Sequence, residues 1–383
     1  MHGQGWEVAG MKIERIDVFP LNLPFLTEFK ISRGSVGGPK AGAPHVYLRI
    51  TADSGVIGWG ESRPSPRWSY ETPESVVTTI RNYLAPALIG MDADDLEAVH
   101  AIMDREIAPG ITVGQPIAKS GIDMALCDLI ARNQGLPLCR HFGPDGSGSG
   151  VPLSYLVSVD SPAKAEEVTL AAVSQGYQGF KVKIGMDPAL DLELIRAVKN
   201  AAPSCFLWAD ANQAYSADMA IERSRDMAAI GVDVLEQPLP ANDFLGLRDL
   251  VAKSAVPIAV DESVFALSDL VQLIGLKALD MLVIKVSKMA GLSRARKCIE
   301  RAMDAGIGLL GSGLTETRLG LAASSHLYSA YRFKYPVDLN GPQFLADDPI
   351  SGGVTIDRAI VHVSESPGIG VAIDEEKLAK YAV

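Results

Sequence analysis

Five charged residues stand at the ends of short apolar runs in the middle of this chain: Lys183, Asp210, Glu236, Asp261 and Lys285. They are separated by 24 to 27 residues, the length of one strand, one helix and their loops. Three carboxylates brought together repel one another unless a cation sits between them. All three are oxygen ligands, with no thiolate or imidazole nearby, which selects Mg²⁺ over zinc. A Mg²⁺ with open positions binds both oxygens of a substrate carboxylate. It then stabilises the dianion formed when the neighbouring carbon loses a proton. Lys183 and Lys285 supply the base, because cationic neighbours lower a lysine toward neutrality. Lys181 taken alone reads as a salt-bridge partner, and any one charged strand end as a solvated cap. Five in succession predict a site for proton abstraction next to a carboxylate.

The elements that must position them alternate along the second part of the chain. Apolar runs at 153–157, 179–184, 206–209, 232–235, 258–260, 281–284 and 307–310 are each followed by a helical stretch, such as 188–200 and 217–230. Strands apolar on both faces with helices between them specify a parallel sheet covered on both sides. Seven units at a regular repeat favour a closed barrel, whose strands all end at one mouth. Lys183 and Lys285 then address opposite faces of a carbon held between them. Before the barrel, 12–21 reads as a strand, 45–52 and 55–61 as a hairpin, and 73–88, 94–107 and 116–134 as helices, with Asp94 as a cap. Segments 27–44 and 62–72 read as long loops. The expected organisation is a capping α+β domain at 11–135, a barrel at 150–345, and a segment at 346–383 packing back on the capping domain.

The bulk properties exclude several classes. A net charge of −11 argues against nucleic acid or an anionic membrane as partner, but leaves an anionic small molecule open. No apolar run reaches membrane-span length. The opening MHGQGWEVAG lacks the features of a signal peptide and reads as an extension or a misassigned start. The four scattered cysteines, Cys127, Cys139, Cys205 and Cys298, fit buried thiols in a cytoplasmic protein. No P-loop motif is present.

The Lys-x-Lys at Lys181 and Lys183, followed by Asp210, Glu236, Asp261 and Lys285, resembles the enolase superfamily, in its muconate-lactonizing subgroup. The stretch Ala-Lys-Ser-Gly-Ile-Asp-Met-Ala-Leu-Cys-Asp-Leu at 118–129, Gly58-Trp59-Gly60-Glu61 and Asp210-Ala211-Asn212 carry the same resemblance, which runs from Met11 onward. It implies a capping domain over a modified (β/α)7β barrel. Mg²⁺ would sit on Asp210, Glu236 and Asp261, with acid–base roles for Lys183 and Lys285 and with Lys181 and Asn212 beside the substrate. Glu316 resembles a position near substrate, or else complements a helix N-terminus. Mandelate-racemase-like members carry a histidine on the seventh strand, but 307–310 runs into Gly311-Ser312-Gly313, and His326 reads as structural. Specificity would lie in the capping loops, with Lys30, Arg33, Trp68 and Tyr70 as candidates and Arg63 and Arg67 as solvated. Trp68 and Tyr70 either wall a cationic substrate or pack between domains. The resemblance is nearest to members acting on amino-acid carboxylates, so cis-3-hydroxy-L-proline dehydration or proline-derivative epimerisation is the first expectation. Muconate-type cycloisomerisation, or racemisation of another amino acid or dipeptide, is the alternative. A homo-oligomer is implied, and a catalytically dead barrel is the non-enzyme reading.

Overall fold

Eleven residues at the start of the capping domain form β1 (Ile13–Leu23), which pairs antiparallel with β4 (Ala43–Ala52), itself hairpinned to β5 (Ile57–Ser62). The computed structural model describes residues 11–110, 112–143 and 150–383; the opening extension lies outside them. Between β1 and β4, the stretch read as loop contains a small hairpin, β2 (Phe29–Ile31) and β3 (Gly34–Gly37). It forms because Phe29 and Ile31 alternate inward around exposed Lys30 and Phe29 stacks on Phe344 at 4.7 Å.

Helix Pro116–Asn133 lies flat on this sheet and is buried along nearly its whole length. Glycines permit that approach. A Cβ on Gly58 or Gly60 would overlap the helix carbonyls of Ala125 and Gly121, and one on Gly121 would strike Ser62 and Leu48. Helix Leu96–Glu106 starts one residue later than expected: Asp95, not Asp94, accepts the Ala98 N–H at 2.9 Å. The Asp94 N–H instead donates to Asp92.

After β6 (Val151–Pro152) come seven parallel strands in sequential order: β7 (Ser154–Val157), β8 (Gly179–Lys183), β9 (Phe206–Asp210), β10 (Val234–Glu236), β11 (Ile258–Val260), β12 (Met281–Ile284) and β13 (Gly308–Gly311). A helix follows each, from Pro162–Ser174 to Arg318–Ala330. The barrel closes through 337–338, which bridges in parallel to Leu153 on one side and Ser312 on the other. The bonds are Ser154 N–H to Val337 O at 2.8 Å and Asp338 N–H to Gly311 O at 2.9 Å. Sequence reading missed this closing element because two residues offer no periodicity.

The tail forms β14 (Ile350–Ser351), β15 (Thr355–Asp357), β16 (Ile360–His362) and β17 (Ala372–Ile373), with β16 pairing to β6. It ends at helix Glu375–Tyr381, and the Val383 N–H bonds to Pro20 O in β1. All four cysteines are buried and free. Among the described residues no helix is long and apolar enough to cross a membrane.

Candidate active site

Side chains alternate along a strand, so a residue two beyond an inward apolar one also points inward. Trp208, Val234, Ala259, Val283 and Leu310 form an apolar layer with Met281. Two residues beyond them stand Asp210, Glu236, Asp261, Lys285 and Ser312. Strand register aligns Lys183 with Asp210 and Asp210 with Glu236. The charged ring is therefore the next layer up, where the strands end, and all five expected residues meet there in full burial.

Four ammonium groups are woven through the carboxylates. Lys183 Nζ lies 2.6 Å from Asp210 Oδ2 and 2.9 Å from Asn212 Oδ1. Lys285 Nζ lies 2.6 Å from Asp261 Oδ2, with the Trp68 ring centre 4.3 Å away. Lys181 lies at 3.0 Å from Asp210, 2.9 Å from Glu236 and 3.2 Å from Asp338, over the Trp208 ring. Lys288, which sequence reading passed over, lies 2.9 Å from Asp261 Oδ1. Burial alone would raise Asp210 and Asp261, yet the ammonium groups bring both below the usual carboxylate range. Glu236 goes the other way, pushed well above that range by burial and by the charge of Asp210.

Among the described residues, no three His, Cys, Asp or Glu side chains already stand as a metal cage, since the carboxylates turn toward lysines. The donor chemistry nevertheless fits a hard cation. Both Glu236 oxygens and Asp261 Oδ1 are buried without an aligned hydrogen bond, although Lys181 is close to one and Lys288 to another. Orphaned buried carboxylate oxygens are costly unless something fills them. Asp210, Glu236 and Asp261 are the residues able to hold Mg²⁺ here.

One narrow cavity reaches both lysines. Lys183 and Lys285 border it together with Trp68, Arg63, Asp338 and Asn340, and its free volume is about 30 Å³. Asp338 lies on the closing element and Asn340 just beyond it, joined by Asn340 Nδ2 to Asp338 Oδ1 at 2.9 Å. Arg63, read as solvated, is 2 % exposed. Burial lowers its guanidinium to about 10, which leaves it charged at neutral pH.

The other candidates scatter. Asn212 joins the cluster, donating to Glu262 at 3.1 Å. Trp68 is buried at the cavity wall and also faces Phe265. Tyr70 is 52 % exposed and bonds Thr112 at 2.7 Å. It lines an outer cavity with Arg33, Phe244 and Phe265. Lys30 is exposed, pairs with Glu28 at 3.0 Å, and faces a separate cavity outside the lysine pair. Glu316 is buried and accepts the Leu314 N–H at 2.7 Å. The helix that follows it is capped by Thr317 and by Glu61 of the capping domain. His326 spans Cys139 N–H and Ile369 O far from the lysines' cavity lining.

With that geometry in place, similarity to known proteins adds a second line of observation. A family model described as "Mandelate racemase / muconate lactonizing enzyme, N-terminal domain" matches residues 16–143, and one described as "Enolase C-terminal domain-like" matches 163–377. The chain is 32% identical over 377 residues to a chloromuconate cycloisomerase of Cupriavidus necator, covering 97% of this chain and 99% of that one. The crystal structure of N-succinyl Arg/Lys racemase from Bacillus cereus superposes with a TM-score of 0.91 at 28% identity, covering 97% and 98% of the two chains. A dipeptide epimerase from Cytophaga hutchinsonii, complexed with Mg and the dipeptide D-Ala-L-Val, superposes at 0.88 with 30% identity, again covering 97% and 98%.

Proposed function

The chain belongs to the mandelate racemase / muconate lactonizing enzyme family of the enolase superfamily, and we propose that it epimerises or racemises a small amino-acid derivative by moving the proton on the carbon next to its carboxylate. The observation that carries this reading is that Lys183, from β8, and Lys285, from β12, border one cavity from strands four apart in the sheet. Epimerisation needs two such groups in opposite protonation states. A neutral lysine takes the proton from one face, and an ammonium returns one to the other. Each has a carboxylate partner at 2.6 Å that holds its tip in place. Burial of both, with Trp68 packed over Lys285, keeps bulk water from protonating the carbanion. Mg²⁺ on Asp210, Glu236 and Asp261 would supply positive charge to the oxygens of the substrate carboxylate as the proton leaves. Asn212 steadies Lys183 through its Oδ1, and Lys288 steadies Asp261.

The relatives support epimerisation or cycloisomerisation better than the hydroxyproline dehydration that sequence reading placed first. Cycloisomerisation is the second reading, favoured by the chloromuconate relative; there one lysine only delivers a proton to the ring-closed product. Proton NMR in D₂O with Mg²⁺ separates the two. Dipeptides and N-acyl amino acids are expected to lose the α-proton signal from both the L and D forms without loss of material. Turnover of cis,cis-muconate without any such exchange would replace the epimerase reading with the cycloisomerase one. Silence from both substrate classes would overturn the proposal.

A further inference from the structure

Arg63 follows β5 in the capping domain and lines the cavity that Lys183 and Lys285 border. The other cations there are matched: Lys183 and Lys285 each have a carboxylate oxygen at 2.6 Å. Arg63 has none within ion-pair distance among the described residues. Among the described residues its one hydrogen bond runs from Nη1 to the carbonyl of adjacent Pro64, and its Nε has no partner. The nearest carboxylates in charge terms are Glu316 and Glu61, and both are engaged elsewhere. Glu61 accepts from Thr317 N–H at 2.9 Å, Thr317 Oγ1 at 2.7 Å and Gly320 N–H at 2.8 Å. Glu316 accepts from Leu314 N–H and faces Ser287 Oγ at 3.4 Å.

A guanidinium that is 2 % exposed and lacks an aligned carboxylate is held at a cost, because its water has been removed and little returned. Its planar fork matches a carboxylate with two parallel hydrogen bonds, which an ammonium cannot do. The carboxylate next to the reacting carbon is already assigned to the Mg²⁺ side of the site, so Arg63 is left for a different anion. We propose that Arg63 receives a second carboxylate of the substrate, which makes the substrate class a dianion with an acidic group beyond the one next to the reacting carbon. The proposal deepens the proton-transfer reading and rests on it for the placement of the first carboxylate. Because the free volume is about 30 Å³, such a substrate enters only as the β2–β3 hairpin and the 63–71 loop give way.

The test compares ligands of equal shape and unequal charge on the whole chain with Mg²⁺. Glutarate and its monoamide are titrated calorimetrically, without turnover. N-succinyl-L-alanine and its succinamoyl counterpart are followed by α-proton exchange. The wild-type protein is expected to favour the dianion of each pair by about 30-fold or more, the range for a desolvated charge pair. In Arg63→Met that ratio falls to near one, and in Arg63→Lys part of it returns. Equal treatment of both members by the wild-type protein overturns the proposal, as does an unchanged ratio in Arg63→Met. Should Arg63→Met fail to fold, the wild-type ratio and Arg63→Lys decide. A dianion preference in titration with no exchange of either substrate sinks the proton-transfer reading and leaves Arg63 as an anion site. Exchange without preference sinks the Arg63 proposal alone.

Discussion

Two regions of this molecule bury carboxylates in quantity, the barrel mouth and the joint between capping domain and barrel, and they treat them differently. Within the capping domain and at its joint to the barrel, the buried acids Glu61, Glu71, Asp123 and Asp128 are each met by backbone N–H groups. Glu61 caps helix Arg318–Ala330, and Glu71 accepts from Ile117 and Ala118 N–H at the start of helix Pro116–Asn133. Asp128 accepts from Trp59 and Ile369 N–H, and Asp123 meets Ser293 N–H and His100. At the mouth, Glu236 and Asp261 keep oxygens with no aligned donor and face lysines instead. A carboxylate that finishes a helix end is structure. One that is left partly unsatisfied among cations is held ready for something that binds.

That contrast breaks most sharply on the lysines. Lys183→Met and Lys285→Met are each expected to lower kcat/KM for α-proton exchange by about 10³-fold or more. The melting temperature of Lys285→Met should stay within about 5 °C, because Lys288 still pairs with Asp261. A loss of stability that matches the loss of rate would place Lys285 with the joint rather than the mouth.

Glu61 sharpens the other side. Burial raises it to about 8, against the hydrogen bonds from Thr317. The folded state thus keeps a proton that the unfolded chain releases near pH 4.5. Its contribution to stability is complete below that pH and is lost as pH rises toward 8. Neighbouring His45 is pulled down to about 3 by burial and stays neutral throughout. Denaturant unfolding at pH 5 and pH 8.5 should show a stability difference between wild type and Glu61→Gln that changes by on the order of 3 kcal/mol. A difference independent of pH would mean that Glu61 is ionised in the joint.

The smallest effect concerns a helix end at the capping domain's surface. Asp95→Ala should cost about 1 kcal/mol in chemical denaturation, and Asp94→Ala only a few tenths. The reverse order would move the start of helix Leu96–Glu106 back to where the sequence suggested it.

Much of the mouth was legible because βα repetition obliges each strand to end on the same side. An apolar run that stops at Asp210 or Lys285 announces where that side chain goes, whatever the helices between do. The motif glycines and acids of the capping domain were legible only as a resemblance. Their physical role, letting helix Pro116–Asn133 touch the sheet and tying it to the barrel through Asp123 and Ser293, needs both partners in view.

The linear pattern by itself determined the barrel class and the charged layer at its mouth, since periods of two and of one βα unit are local properties of the chain. Tertiary structure alone decided which of the remaining residues enter the site. Asp338 arrives on a two-residue closing element with Asn340 just after it, Arg63 arrives from another domain, and Lys30 turns away in a hairpin that looked like loop. None of these has a periodic signal of its own, because burial at a junction depends on what the other segment brings to it.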